Sequence, residues 1–197
     1  MRITGGSLRG RQLKVSPGVI RPAMDRMRES VFAILGDLSG LSFLDIFSGS
    51  GIISLEAASR GAAYIEAVEM DPVKRETLLS NVRISPVRVN CRFMSAELYV
   101  KRAKRHFDVI FCDPPFNYKY KWELVQTIAA SALVKEGSRL LLHRPRQDKL
   151  PEGILLSGGK KLSREKILLE KDNFVLEDSR EYGRSIVDFF KFFLYKI

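Results

Sequence analysis

A buried strand that runs into a glycine turn and then a helix narrows the possible folds of this chain more than anything else in it. Phe43-Leu44-Asp45-Ile46-Phe47 is an apolar run of strand length, Ser48-Gly49-Ser50-Gly51 follows at once, and Ile52 to Ala58 has helical apolar spacing. Glycines between a strand and a helix permit a tight turn and let a ligand approach the backbone closely. Such a unit belongs to α/β proteins with a parallel sheet, whose ligands sit beyond the carboxyl ends of the strands. A dinucleotide loop, G-x-G-x-x-G, would need glycine where Ser54 stands. Asp45 precedes the loop, and a negative charge there is unhelpful to a pyrophosphate but suits a cationic or zwitterionic ligand. Tyr64 to Glu69 reads as the next strand and ends in an acid eighteen residues beyond Gly51. A carboxylate at that point can take both hydroxyls of a ribose. The plainer alternative is an ordinary glycine turn with two solvated acids.

A second signal is chemical. Phe107 to Cys112 is a buried parallel strand by its apolar run, and Asp113-Pro114-Pro115-Phe116 closes it. Two consecutive prolines neither continue a ladder nor freely start a helix, so the backbone after Asp113 is held extended. That turn sets a carboxylate and a bare carbonyl side by side, next to an aromatic face. Two acceptors and a stacking platform suit a planar group carrying an exocyclic NH2. A proline stop with a solvated Asp is the alternative.

Between and after these signals, strand and helix patterns alternate. Helices are predicted over 71–85, 96–105 and 122–133, and strands over 87–93 and 138–143. This pattern is a parallel sheet with helices on both faces. Val187 to Tyr195, rich in aromatics, is expected as an antiparallel strand whose rings are core rather than a stacking surface. Arg2 to Val15 reads as a small hairpin, and Asp25 as the cap of a helix running to Leu35. There are no internal repeats or low-complexity segments.

Together these pieces resemble the class I S-adenosylmethionine-dependent methyltransferases, in the order glycine loop, ribose acid, then D-P-P-F as in amino-methyltransferases acting on nucleobases. The opening Arg2-Ile3-Thr4-Gly5-Gly6-Ser7-Leu8-Arg9-Gly10-Arg11-Gln12-Leu13 and Arg21-Pro22-Ala23-Met24-Asp25-Arg26-Met27-Arg28-Glu29 are similar to the bacterial 16S rRNA guanine-N2 methyltransferase family. So are Asp45 to Gly51, Glu56-Ala57 with Ser59-Arg60-Gly61-Ala62, D-P-P-F, and Tyr182-Gly183-Arg184-Ser185 of a final hairpin. The likeness covers nearly the whole chain. It departs at Ala23 and Met24, where threonines are usual, and at Ser95-Ala96, where an Asp or Asn often meets the adenine amino group. Residues 158–171 read as an insertion.

The resemblance implies a Rossmann-like α/β sheet of seven mostly parallel strands, the last antiparallel, over residues 37–197, with a basic hairpin and helix extension over 1–36. It implies S-adenosylmethionine over Asp45, Phe47, Ser48, Gly49, Ser50 and Gly51, with ribose on Glu69 and adenine near Met70, Ser95 and Ala96. Catalysis falls to Asp113, also near the cofactor, with Pro114, Pro115 and Phe116. RNA falls to Arg2, Arg9, Arg11, Arg21, Arg26, Arg28 and Tyr118. For Arg21, Asp25 and Arg28, mutual pairing at a helix start is as good a reading as a loop that grips RNA or closes over the cofactor carboxylate. The partner would be 16S rRNA, in the small ribosomal subunit or its assembly intermediate, with the enzyme a monomer.

Composition agrees. A chain of 197 residues makes about one domain, and a formal net charge of +10 suits a protein that meets polyanions. Residues 1 to 28 hold seven Lys or Arg (Arg2, Arg9, Arg11, Lys14, Arg21, Arg26, Arg28) against Asp25. Lys101, Arg102, Lys104 and Arg105 read as a solvated face. Arg139, Arg144, Arg146 and Lys149 form a third cluster. Cys91 and Cys112 are too few for a disulfide framework, Cys112 being expected to face the core. His106 and His143 lack metal-ligand spacing and read as structural, so no metal is expected. Neither a signal-peptide h-region nor an apolar stretch near 20 residues is present, so a cytoplasmic, membrane-free protein is expected. Two other functions stay open: an adenine-N6 methyltransferase, which usually carries an added target-recognition domain, and a non-catalytic RNA-binding module. A nicotinamide oxidoreductase is disfavoured by the missing glycine.

Overall fold

The computed structural model describes residues 1–15, 23–149 and 174–194. Seven strands are present among the described residues. The chain forms two compact units, residues 1–99 and 100–197.

The first unit contains α1 (Ala23–Leu35), β1 (Ser42–Ile46), α2 (Ile52–Ser59), β2 (Tyr64–Val68), α3 (Arg75–Asn81) and β3 (Val89–Arg92). β2 pairs in parallel with β1 on one side and β3 on the other, with Asp45 opposite Ala67 and Glu66 opposite Asn90. Every residue of β1 is buried, as a near-continuous apolar run in a parallel sheet requires. Helix α2 is buried all round, which its small residues Ser54, Ala57, Ala58 and Ser59 permit. Met27, Val31, Phe32 and Leu35 form the apolar face of α1, and α1 packs on α2.

The N-terminal hairpin is a single antiparallel bridge, Arg2 to Gln12, whose Ile3 and Leu13 enter the core. It docks through Ser59: the Ser7 N–H reaches the Ser59 carbonyl at 2.7 Å and the Leu8 N–H its Oγ at 2.8 Å. A Cβ on Gly6 would lie 1.9 Å from that carbonyl oxygen, so only glycine allows the approach. Beneath this segment, fully buried Glu56 accepts from the Thr4 N–H and Oγ, from Arg28 Nε at 3.3 Å and from Arg60.

Two expectations change here. Asp25 lies inside α1 rather than capping it, and pairs with Arg28 at 2.8 Å. The helix expected over 71–85 is broken into a 3-10 turn (Pro72–Lys74), α3 and a second 3-10 turn (Val82–Ile84). Asp71 starts it by accepting from the Val73 N–H, and Pro72 fixes the first turn.

The second unit holds β4 (Val109–Cys112), α5 (Lys121–Ala129), β5 (Arg139–Pro145), β6 (Phe174–Tyr182) and β7 (Ser185–Phe192). Helix α4 (Ala96–Arg102) spans the boundary. β4 and β5 are parallel, whereas β7 runs antiparallel to both β5 and β6. The C-terminal aromatics are core: the Phe174 ring lies 5.3 Å from Phe192 and 6.2 Å from Phe190. Arg144, expected in a basic cluster, is buried instead against Asp188. Lys101, Arg102, Lys104 and Arg105 are exposed. The insertion at 158–171, Arg21 and the end of the last strand at Tyr195 lie outside the described residues.

Candidate active site

In the first unit the glycine loop is assembled by hydrogen bonds from three directions. The Ser48 N–H reaches the Val68 carbonyl at 2.9 Å, tying the loop to the end of β2. Gly49 N–H donates to Glu69 Oε2 at 2.7 Å, and Asp71 N–H to Glu69 Oε1 at 2.8 Å. Asn81 Nδ2 holds the Ser50 carbonyl at 2.9 Å while also bonding the Lys14 carbonyl. The backbone passes through the left-handed region at Phe47 (φ 65°), Gly49 and Gly51. For a phenylalanine that conformation is strained, and strain of this kind concentrates at binding sites.

Asp45 performs a task its strand position did not announce. It is fully buried, and its Oδ2 accepts from the Ser54 N–H at 3.0 Å and the Ser54 hydroxyl at 2.6 Å. Ser54 is the third residue of α2, so Asp45 satisfies the open N–H that a capping side chain normally takes. Ser54, where a dinucleotide loop has glycine, thus completes the turn. Gly51, at φ 80°, is the helix N-cap, and a Cβ on it would lie 2.7 Å from Leu78 Cδ1.

At the end of β2, Glu69 is buried and each of its oxygens accepts one backbone N–H, which leaves further lone pairs for ligand hydroxyls. Met70 is 64% exposed beside it. Ser95 caps α4, accepting from the Leu98 N–H at 3.2 Å, so the Ala96 N–H stands outside the helix's own ladder. Ser48 Oγ is buried with no hydrogen-bond partner among the described residues. A glycine cradle, an orphaned buried hydroxyl and a carboxylate held at a strand end fit a cofactor bearing a ribose and a cationic centre.

Asp113 follows β4 in the second unit. Tyr118 N–H donates to the Pro115 carbonyl at 2.8 Å, which closes the turn and leaves the Pro114 carbonyl as the acceptor beside Asp113. Phe116 is 39% exposed. Two residues that sequence reasoning did not place there support this turn. His143, at the end of β5, has Nδ1 2.7 Å from Asp113 Oδ1. Lys121 occupies the first position of α5, where a cation opposes the helix dipole. It is buried all the same, because its ammonium meets the Phe116 carbonyl at 3.2 Å, the Tyr118 carbonyl at 2.5 Å and Asp148 at 3.0 Å. Three donors find three acceptors, and the aromatic loop is thereby tethered. A hollow of about 390 Å³ lies against it, lined in part by Phe116, Tyr118, Trp122, Lys119 and Lys149. Only the Lys121 signal was within reach of sequence: a lysine opening a helix asks for acceptors.

Of the arginines expected to meet RNA, Arg2, Arg9, Arg11 and Arg26 are exposed. Arg28 is not. Its guanidinium is fully buried and divided among Asp25, Glu56 and the Arg2 carbonyl, so it organises the hairpin instead of facing solvent. Among the described residues no cluster of His, Cys, Asp and Glu could hold a metal ion, and no helix is long and apolar enough to cross a membrane.

Residues 1–191 match the family model described as conserved hypothetical protein 95. The chain belongs to that family. It is 39% identical over 124 residues to the ribosomal RNA small subunit methyltransferase D of Escherichia coli strain K12, spanning 59% of this chain and 61% of that protein. It is 30% identical over 161 residues to the Bacillus subtilis protein YlbH, provisionally named an rRNA methyltransferase, covering 78% of this chain and 88% of YlbH. The solved structure of yhhF from Escherichia coli, provisionally described as a methyltransferase, superposes with a TM-score of 0.79 at 25% identity over 98% of each chain. The family member therefore has the class I methyltransferase fold, and it is a methyltransferase that uses S-adenosylmethionine.

Proposed function

We propose that this chain transfers the methyl group of S-adenosylmethionine to the exocyclic N2 amine of a guanine in 16S rRNA of the small ribosomal subunit. The observation that carries this is the Asp113 turn: a carboxylate with one oxygen pinned, a bare Pro114 carbonyl and an exposed aromatic ring, in a chain whose relatives are named for ribosomal RNA methylation. Residues 1–36 are the RNA-facing extension of a methyltransferase domain spanning 37–197, and the enzyme works as a monomer.

Glu69 takes the cofactor ribose, the Gly49–Gly51 backbone accommodates the methionine portion, and Met70 and the Ala96 N–H border the adenine. The cofactor supplies a methyl group already activated by a sulfonium. The acceptor needs more help, because the lone pair of a guanine N2 is delocalised into the ring. Asp113 and the Pro114 carbonyl accept hydrogen bonds from its two N–H groups, which turns the nitrogen toward tetrahedral geometry and stabilises the positive charge that develops on it. As the nitrogen–methyl bond forms the methyl–sulfur bond breaks, leaving a neutral thioether, and the methylated nitrogen loses its surplus proton to Asp113 or to water. This is orientation plus electrostatic preorganisation. Phe116 and Tyr118 stack on a base splayed out of the RNA. Arg2, Arg9, Arg11 and Arg26 contact phosphates, which fixes register but carries no sequence information.

The deciding experiment supplies radiolabelled S-adenosylmethionine to small subunits or 16S rRNA from cells lacking this enzyme, followed by nucleoside analysis. Label in N2-methylguanosine is the expected result. Label in N6-methyladenosine overturns the choice of base, and the absence of label with the cofactor bound overturns the choice of RNA.

A further inference from the structure

His143 contributes more than bulk to the end of β5. The residue is 1% exposed, its Nδ1 lies 2.7 Å from Asp113 Oδ1, and its ring stands edge-on to Phe116 with centroids 5.6 Å apart at 68°. It thus touches both the carboxylate and the aromatic ring of the D-P-P-F turn. Its other nitrogen, Nε2, is buried with no hydrogen-bond partner among the described residues.

The contact with Asp113 assigns the tautomer. A hydrogen on Nε2 would bury a donor without an acceptor, at about 1–3 kcal/mol. It would also set a bare Nδ1 lone pair against a carboxylate oxygen. With the hydrogen on Nδ1, the same contact becomes a charge-assisted bond to Asp113, and Nε2 is left only as an idle acceptor.

We propose that His143 is a positioning residue for methyl transfer: its Nδ1–H holds Asp113 Oδ1, which presents Oδ2 to the acceptor amine, while its T-shaped contact with Phe116 sets the angle of that ring. The carboxylate would otherwise rotate freely about its last bond, and a misplacement of about 1 Å is worth roughly 10²-fold in rate. This rests on Asp113 being the group that accepts from the substrate amine.

Two substitutions separate positioning from packing. Asparagine places an amide N–H near where Nδ1 stands, whereas glutamine reaches toward Nε2 and leaves Asp113 alone. His143→Asn is expected to keep kcat within about threefold of wild type. His143→Gln is expected to lose about 10–100-fold in kcat, with KM for RNA and the dissociation constant for S-adenosylmethionine within about twofold. Nitrogen-15 spectra of the intact wild-type protein provide a readout independent of turnover, with Nδ1 protonated and Nε2 bare. Wild-type kcat in His143→Gln, or an Nδ1 without a proton, overturns the proposal, and the spectrum decides it if either variant fails to fold. Asp113→Asn distinguishes the underlying reading. It should retain cofactor binding and lose about 10²–10³-fold in kcat. Full activity there refutes the role of Asp113 itself, whereas an inactive Asp113→Asn beside a fully active His143→Gln refutes only the role of His143.

Discussion

Glu56→Gln tests how the N-terminal hairpin is held. Glu56 is a fully buried carboxylate inside α2, with the buried Arg28 on one side and Arg60, whose side chain is 14% exposed, on the other. It also accepts two hydrogen bonds from Thr4. Glutamine keeps the size but removes the charge and turns one acceptor into a donor, so the Thr4 and arginine donors can no longer all be satisfied. Arg60 can swing toward solvent, but Arg28 cannot. Breaking a buried pair by removing one partner costs about 3–5 kcal/mol, because the other charge is left in a poorly solvating place. For a chain of this size about 1 kcal/mol shifts the melting temperature by roughly 2–4 °C, so a fall of about 6–20 °C is expected. Calorimetry measures it, and amide exchange at Thr4 should quicken. Adding Arg28→Met should recover part of the loss, since it removes a buried cation left with only the half-buried Asp25 as its counter-charge. A shift under about 2 °C, or no recovery in the double variant, would refute the view that desolvation of Arg28 dominates.

Three further outcomes follow from the same geometry. Gly51→Ala combines a left-handed φ with a Cβ 2.7 Å from Leu78, so calorimetric titration should show S-adenosylmethionine affinity reduced by more than about tenfold. Lys121→Met should cost about 1–3 kcal/mol in thermal unfolding and raise KM for RNA, since three acceptors lose their donor. Glu66 is buried, which alone would raise its pKa, but hydrogen bonds from Tyr64, Arg92 and Tyr99 outweigh this and lower it. Its contribution to stability is therefore complete above the ordinary glutamate range and lost as pH falls through the depressed value. Denaturant titrations over acidic pH should show that slope in the wild type and a flatter one in Glu66→Gln.

Local patterns in the sequence reach far into this fold. The run Phe43 to Phe47, the glycines at 49 and 51, the acid at 69 and the D-P-P-F stop are each contained in a few residues, and strand burial plus turn chemistry specify them where they stand. Partnerships across the chain are another matter. His143 meets Asp113 from 30 residues away and Arg144 meets Asp188 from 44. Composition assigned Arg144 and Arg28 to basic clusters because charge alone does not reveal a buried acid opposite. Helix lengths err for a related reason: Asp71 and Pro72 start a 3-10 turn, and periodicity does not separate that from α-helix. Asp45 was legible as an acid before the loop, but its engagement by Ser54 depends on how α2 sits over β1.

Residues 1–15 can be anchored only by chain that is synthesised well after them. Lys14 is bonded to Asn81, 67 residues further on, and Thr4 to Glu56, 52 further on. At a synthesis rate of about 5–20 residues per second, the first residues wait roughly 3–13 s before their anchors exist. Ile3 and Leu13, covered in the finished protein, stay open for that interval. Arg2, Arg9 and Arg11 flank these two apolar side chains, so the stretch that waits carries a net positive charge.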